Sequence, residues 1–388
     1  MKVAMVFDGL SIGGIEKVGL TYAQMLVEMG HDVTIINLQH KETAMKDMFP
    51  SECKMEHAFL PDFILPGFYL PMIRRWRWGK YAYPFFFICS FVLLHCAKLF
   101  SRLKKRQKYD IAIAFAGHIR DLTYVAYGFI AARKKIAWLH GSLGDYLIAS
   151  YAYSDLYRQI KNLCVVSIDR QEYVLNTCPF LKEELSITFM PNPLDRLRPL
   201  DTDLIQRIKR QYGNFLLMIS RFGKDKDQAT VIRALKVLKD KYGLAIPTVF
   251  VGDGATLADN QRLADDLGLS ENIAFVGSQL CVSEFYNAAT LNIFSSPAEG
   301  MGMVVLEAMQ AGLPVVTTRS APGVPFLVGN DEYALTCAVG DAEEMAEKIY
   351  AMWMNSDMRE SYRKQGLKRA QDFSFQATLQ RLACMLDS

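Results

Sequence analysis

The chain has 388 residues, 51% of them hydrophobic and 22% charged, with a formal net charge of +3. That length exceeds one ordinary core and fits two domains of under about 200 residues each, with apolar content for both. So small a net charge supplies no global field for nucleic acid, and any basic patch must be local.

The first apolar run, Lys2 to Phe7, is of strand type, and the loop Asp8 to Gly14 follows it. That run is short and ends in a glycine loop without a cleavage pattern, so it does not read as a signal peptide. Ile15 to Met29 carries Val18, Tyr22, Leu26 and Met29 at helical spacing, Gly30 stops it, and His31 to Leu38 is the next strand. This βαβ unit implies a parallel sheet. Ile111–Phe115, Lys135–Leu139 and Cys164–Ser167 continue it.

Between the second and third of these strands lies Tyr81 to Phe100, about as apolar as a membrane-spanning helix. Arg74, Arg75, Arg77 and Lys80 precede it, Arg102, Lys104, Lys105, Arg106 and Lys108 follow it, and Trp76 and Trp78 suit an interface. A single crossing would place strands of one sheet on opposite sides of a bilayer, and Pro84, His95 and Lys98 interrupt the run. The expectation is a helix lying in the headgroup layer of an anionic membrane. The competing reading is a core helix with a solvated basic end.

Phe189 to Leu200 holds three prolines and neither periodicity, and reads as a linker. The α/β rhythm then restarts. Strands are expected at Phe215–Ser220, Pro247–Val251, Ile273–Val276, Leu291–Ser295 and Pro314–Thr318. Helices are expected at Asp227–Tyr242, Thr256–Leu267, Ser283–Ala289 and Met303–Gln310. Ala342 to Ser388 is mostly helical, with a bend at Phe373–Phe375. The expected domains are 1–193, an acceptor-side Rossmann-like domain, and 194–370, a nucleotide-sugar domain. Residues 371–388 form a helix expected to pack back on the first domain. Cys53, Cys89, Cys96, Cys164, Cys178, Cys281, Cys337 and Cys384 form no CxxC pair. They read as reduced thiols of a cytoplasmic protein.

The segment carrying the chemistry is Leu291 to Thr318: strand, glycine loop, helix, glycine stop, strand. Gly300 and Gly302 remove side chains where the loop meets the helix, so a phosphate can approach the free N–H groups of the helix N-terminus. Glu307 lies one turn into the helix, where a carboxylate can accept two hydrogen bonds from a ribose diol. Glu299, in the loop, faces whatever extends beyond the phosphates. Gly312 supplies the stop and Pro314 the break. After the strand Phe215–Ser220 come Arg221 and Lys226, two cations five residues apart that can clamp a diphosphate.

The run EGMGMVVLEAMQAGLPVV, with Glu299 and Glu307 in a Glu-x7-Glu frame, closely resembles the signature of the family-four retaining glycosyltransferases. The resemblance covers nearly the whole chain and is strongest from Arg221 to Thr318. It implies the GT-B fold, an α/β architecture of two Rossmann-like doubly wound domains facing across a deep cleft. It also implies that Glu307 binds the nucleotide ribose, that Glu299 contacts the donor sugar, and that Arg221 and Lys226 hold the diphosphate. Asp227 departs from the family's usual glycine. Gly13 and Gly14 resemble the family's first glycine loop, which approaches the donor phosphate or sugar. His140, in Trp138–Gly141, stands where the family has a histidine at the donor sugar, near its sixth carbon. His118 is a second candidate, on the acceptor side. Pro191-Asn192-Pro193 resembles the family's hinge, Gly252 and Gly254 resemble a loop flanking the base, and Met301 lies within the signature.

Nucleoside-diphosphate departure from such a site needs no metal, because protein cations stabilise the leaving group. Of the two DxD triplets, Asp201-Thr202-Asp203 reads as a helix start and Asp225-Lys226-Asp227 encloses a cation that would repel a metal. No cofactor and no nucleic acid are expected. The donor is expected to be a UDP-sugar first and a GDP-sugar next, and the acceptor a glycan or lipid-linked molecule. The protein is expected in the cytoplasm, peripheral on the inner face of the cell membrane. A nucleotide-sugar epimerase of the same fold and a silent nucleotide-sugar-binding subunit are the rival readings. A dehydrogenase is disfavoured because the first loop lacks GxGxxG and no acid ends the second strand.

Overall fold

A computed structural model describes residues 1–11, 13–69, 71–103, 108–141, 143, 151–166 and 183–387. They form two compact units, Met1–Met190 with Arg381–Ser388, and Pro191–Gln380.

The first unit runs β1 (Lys2–Phe7), α1 (Gly14–Glu28), β2 (Asp32–Asn37), β3 (Lys54–His57), α2 (Pro71–Arg75), α3 (Gly79–Leu103), β4 (Lys108–Ala114) and α4 (Ile119–Ala126). It continues with β5 (Ala131–Leu139), α5 (Tyr151–Ile160), β6 (Asn162–Val165) and β7 (Ser186–Phe189). The strands form one sheet in the order β3-β2-β1-β4-β5-β6-β7. β1 pairs in parallel with β2 on one side and β4 on the other, so Val3 faces both Val33 and Ile111. Val3 to Phe7 are wholly buried, as a central parallel strand covered on both faces requires.

In the second unit α6 (Thr202–Tyr212), β8 (Leu216–Ile219), α7 (Gln228–Tyr242), β9 (Thr248–Val251), α8 (Leu257–Asp266), β10 (Ile273–Phe275) and α9 (Val282–Ala288) come first. β11 (Leu291–Phe294), α10 (Met303–Gln310), β12 (Val315–Thr318), α11 (Gly323–Val328) and β13 (Leu335–Cys337) follow. The chain closes on α12 (Ala342–Met354), α13 (Ser356–Gln371) and α14 (Phe375–Asp387). This sheet is also parallel, in the order β10-β9-β8-β11-β12-β13.

Numbered from its own first strand, the first sheet reads 3-2-1-4-5-6-7 and the second 3-2-1-4-5-6. The strand order therefore reverses between β1 and β4 in the first unit and between β8 and β11 in the second. Ligands of open α/β sheets bind outside the carboxyl ends at such reversals.

Three strands and a helix escape a reading by pattern. β3 is four largely exposed residues at a sheet edge, β13 is three residues, α11 is six, and β7 runs into the proline stretch. That stretch, read as a linker, contains the boundary between the two units; 190–194 are buried and 195–200 are exposed. Phe189 ends β7, and Met190, Asn192 and Leu194 are buried. The Leu194 N–H donates to Phe373 O at 2.8 Å, so half of the stretch is fixed in the second unit. Seven cysteines are free thiols, while Cys178 lies outside the described residues.

Candidate active site

In the second unit the loops after β8 and β11 lie side by side. Ser296 Oγ donates to Asp225 O at 2.8 Å, and Asp227 N–H donates to Ser295 O at 3.3 Å. Gln228, buried in the first turn of α7, donates from Nε2 to Arg221 O and to Ser220 Oγ, each at 2.9 Å. Polar groups under the loops thus fix the backbone that carries the charged side chains.

Lys226 is bound to Glu299. The pair is largely buried, and the Lys226 ammonium also lies 5.6 Å from the Phe294 ring centroid. Glu299 is pinned through its backbone, accepting from Gly323 N–H at 2.8 Å and donating to Ala321 O at 3.2 Å. Arg221 is mostly exposed and pairs with Asp225 at 2.9 Å. Asp227, noted as a departure from the resembled family's usual glycine, caps α7 by accepting from Thr230 N–H at 3.2 Å. Asp201 caps α6, accepting from Leu204 N–H at 2.9 Å. Three of the four DxD carboxylates are thus engaged, Asp201 and Asp227 as caps and Asp225 in an ion pair.

Gly302 is the N-cap of α10, in the left-handed region at φ 78°. A side chain there would be strained and would meet Val324. Glu307 is reached by Tyr286 of α9, whose hydroxyl donates to Glu307 Oε2 at 3.1 Å. Burial and the Glu307 charge raise the Tyr286 phenol well above its ordinary pKa, so it remains a donor. Met301 is buried, and its Sδ accepts from Asn192 N–H at 3.2 Å. A ligand contact at Met301 therefore falls to its backbone. Gly252 and Gly254 have a packing reason to be glycine. A Cβ on Gly252 would stand 2.0 Å from Ser220 O, and one on Gly254 2.3 Å from Phe222 O.

The first unit gathers a second polar cluster where β1 and β4 end. His118 donates from Nδ1 to Asp8 Oδ2 at 3.2 Å. Arg120 binds the other oxygen of Asp8 and also Asp62. Asp121, fully buried, accepts from the N–H groups of Gly117 at 2.9 Å and His118 at 2.7 Å. Burial pushes its carboxyl up to about 7 against the opposing pull of His118. The Asp8 hydrogen bond raises the His118 pKa. Burial works to raise Asp8, but His118 and Arg120 outweigh it and leave the carboxyl below its ordinary range.

His140 follows β5. Its Nε2 donates to Phe115 O at 2.7 Å, and burial lowers its pKa to about 4. The imidazole is neutral near pH 7, with Nδ1 as its acceptor nitrogen. Gly13 is the N-cap of α1 and Gly14 its first residue, with open space where a Gly14 side chain would be.

Residues 202–369, a strand-loop-helix array that contains the Lys226–Glu299 pair, match the family described as glycosyl transferases group 1. The second unit is a group 1 glycosyltransferase domain.

Over 356 residues the chain is 24% identical to N-acetyl-alpha-D-glucosaminyl L-malate synthase of Bacillus anthracis, covering 90% of this chain and 86% of that one. It is 27% identical over 159 residues to a Campylobacter jejuni enzyme, covering 41% of this chain and 42% of that one. That enzyme is the N-acetylgalactosamine-N,N'-diacetylbacillosaminyl-diphospho-undecaprenol 4-alpha-N-acetylgalactosaminyltransferase. Anabaena HepE, solved with UDP and glucose, superposes with a TM-score of 0.72 at 19% identity, covering 100% of this chain and 99% of that one. This likeness assigns the whole chain to the GT-B fold.

Within the group 1 domain, Glu299, Glu307, Arg221 and Lys226 all come from the carboxyl-end loops or from α10. The sequence reading missed Tyr286, Ser296 and Gln228, which hold these side chains and loops. It also missed Asp8 and Arg120. For Asp8 a signal was available, since it is a charged residue directly after the buried central strand β1; Arg120, inside α4, had no such signal.

Proposed function

We propose that the chain is a retaining glycosyltransferase of cell-surface polysaccharide synthesis. It moves a sugar from a nucleoside-diphosphate sugar, UDP before GDP, to a lipid-linked glycan or lipid acceptor. The observation that carries this reading is the Lys226–Glu299 pair beside the Gly302 end of α10, with Arg221 on the adjoining loop. UDP and glucose in HepE and the undecaprenol-linked acceptor named for the Campylobacter enzyme support the donor and acceptor classes.

The leaving diphosphate gathers negative charge as the sugar ring gathers positive charge. Lys226, Arg221 and the N–H groups after Gly302 stabilise the first in a water-poor site. Anionic phosphate oxygens compete with Glu299 for the Lys226 ammonium, so donor binding loosens that carboxylate toward the sugar. Glu307 takes the ribose diol, oriented by the Tyr286 hydroxyl. The backbone at Gly300 and Met301 faces the donor, and Gly252 and Gly254 flank the base. In the first unit Gly13, Gly14 and His140 are assigned to the donor phosphate and sugar, and His118 to the acceptor. The acceptor hydroxyl attacks on the face the diphosphate leaves, and the departing phosphate takes its proton. That division of labour asks for no pair of protein carboxylates of the glycosidase kind. The first unit serves the acceptor, and the protein works at the cytoplasmic face of an anionic cell membrane.

The test is calorimetry with a panel of UDP- and GDP-sugars, then product analysis by NMR with a membrane lipid extract as acceptor. A glycosylated lipid with the donor's anomeric configuration is expected. No nucleotide-sugar binding, or an epimerised donor without transfer, would overturn the reading.

A further inference from the structure

We propose that the segment 63–103 docks on an anionic bilayer, with α3 lying along the headgroup layer rather than crossing it. The inference rests on the reading of a membrane-borne acceptor for its purpose, but it is argued and tested without sugar transfer.

α3 has two apolar faces, and the protein uses one. Ser90 and Leu94 are buried and Ala97 is half-buried, and these share one side of the helix. Leu94 joins a small core with Leu60, Ile64 and Leu65, against which Ala97, Ile119, Tyr124 and Tyr127 pack. On the opposite side Tyr81, Phe85, Ile88, Val92 and Leu99 recur three, four or seven apart, and all are exposed, Phe85 by 66% and Leu99 by 64%. Helical periodicity puts those five on one stripe, facing away from Leu94. Just before α3 the rings of Trp76 and Trp78 stack 5.3 Å apart, both exposed. Soluble surfaces rarely leave so large a contiguous apolar stripe uncovered.

Charge identifies what covers it. Positions 63–109 contain none of the 41 Asp and Glu and ten of the 44 Lys and Arg. The stretch therefore carries +10 and the rest of the chain −7. A second copy of the same stretch would repel it, whereas an anionic lipid surface attracts it and turns the acidic remainder away. Aromatic rings at the ends of an apolar stripe, with cations beside them, match an in-plane interfacial helix.

The topology decides between lying along and crossing. α3 is long and apolar enough to span. It connects β3 to β4, however, and these strands belong to one parallel sheet. One crossing would put the two strands on opposite sides of the bilayer. Docking flat leaves the sheet whole and sets Tyr81, Phe85, Ile88 and Val92 at the acyl boundary.

The full chain is floated with vesicles of phosphatidylcholine, with and without phosphatidylglycerol. Wild type is expected to float with the anionic vesicles alone. Arg75, Arg77 and Lys80 all changed to Glu should lower partitioning more than about 100-fold, given ~1 kcal/mol per cation near such a surface. Phe85, Ile88 and Val92 all changed to Ser should lower it at least tenfold. These three are exposed, so circular dichroism and nucleotide binding should match wild type. Failure of wild type to float, equal flotation with neutral vesicles, or unchanged flotation of the serine variant each overturns the proposal. Flotation without any sugar transfer would leave the docking intact and remove the functional reading instead.

Discussion

The ammonium of Lys226 is bound by the carboxylate of Glu299, across the two loops that close the carboxyl ends of β8 and β11. A proposed diphosphate clamp and a proposed sugar contact therefore hold one another, and the two substitutions should behave as opposites in binding. Lys226→Ala removes a phosphate cation and leaves Glu299 facing the phosphate. We expect weaker nucleoside-diphosphate binding and a turnover loss on the order of 100-fold, as for other preorganised charge contacts. Glu299→Gln releases Lys226 to the phosphate. It should bind the nucleoside diphosphate at least as tightly as wild type while losing turnover. Calorimetry and initial rates on the same preparations separate the cases, and weaker binding by Glu299→Gln would show that the pair is purely structural.

Glu307 and Tyr286 provide a graded pair. Glu307→Gln should weaken nucleotide binding by about tenfold, since a charge-assisted hydrogen bond to a diol is replaced by a neutral one. Tyr286→Phe should cost less, about 1 kcal/mol, because it removes a hydrogen bond that orients Glu307 and leaves the carboxylate in place. Loss of affinity confined to Tyr286→Phe would move the ribose contact off Glu307.

A pH signature is expected from Asp8 and His118. The His118 pKa is raised, so its share of stability is complete below its ordinary value of 6.5 and disappears as pH rises through the raised one. The Asp8 pKa is lowered, so its share is present above its ordinary 3.8 and disappears as pH falls through the lowered one. Between those ordinary values both shares are complete. Asp8→Asn should accordingly cost most stability near pH 5 and less near pH 9, where the contact with Arg120 persists and the charge on His118 is gone. Thermal unfolding of both proteins at the two pH values checks this. An equal difference at both would assign the loss to Arg120 alone.

Chelation should leave transfer largely unchanged. Asp227 is committed to the cap of α7, and Asp225 to Arg221. Activity after dialysis against a chelator, with and without added magnesium or manganese, is the measurement. Loss on chelation restored by metal would mean that the DxD carboxylates leave these partners.

The central strands, the glycine loop and the α10 signature were legible because each is a long pattern with one physical cause. Val3–Phe7 is an apolar run that only a doubly covered strand accommodates, and Gly302 sits where a helix starts from a left-handed residue. What escaped is short or depends on distant partners. β3 is set by its pairing with β2 and β13 by its pairing with β12, neither by its own composition. Tyr286 lies 21 positions before Glu307, and Asp8 lies 110 before His118. No local spacing announces a contact of that kind. The prolines of 189–200 left its packing open, because proline marks a break in regular structure whether that break is exposed or packed.

Arg120 is shared by Asp8 and Asp62, one at the end of β1 and the other one residue before the acid-free stretch begins. One cation serving two carboxylates makes the two positions epistatic. Replacing either leaves the guanidinium wholly to the survivor, so the double replacement should cost more than the separate losses combined. A homologue that has lost one of these acids is under stronger constraint to keep the other, and one that has lost Arg120 should have neutralised both.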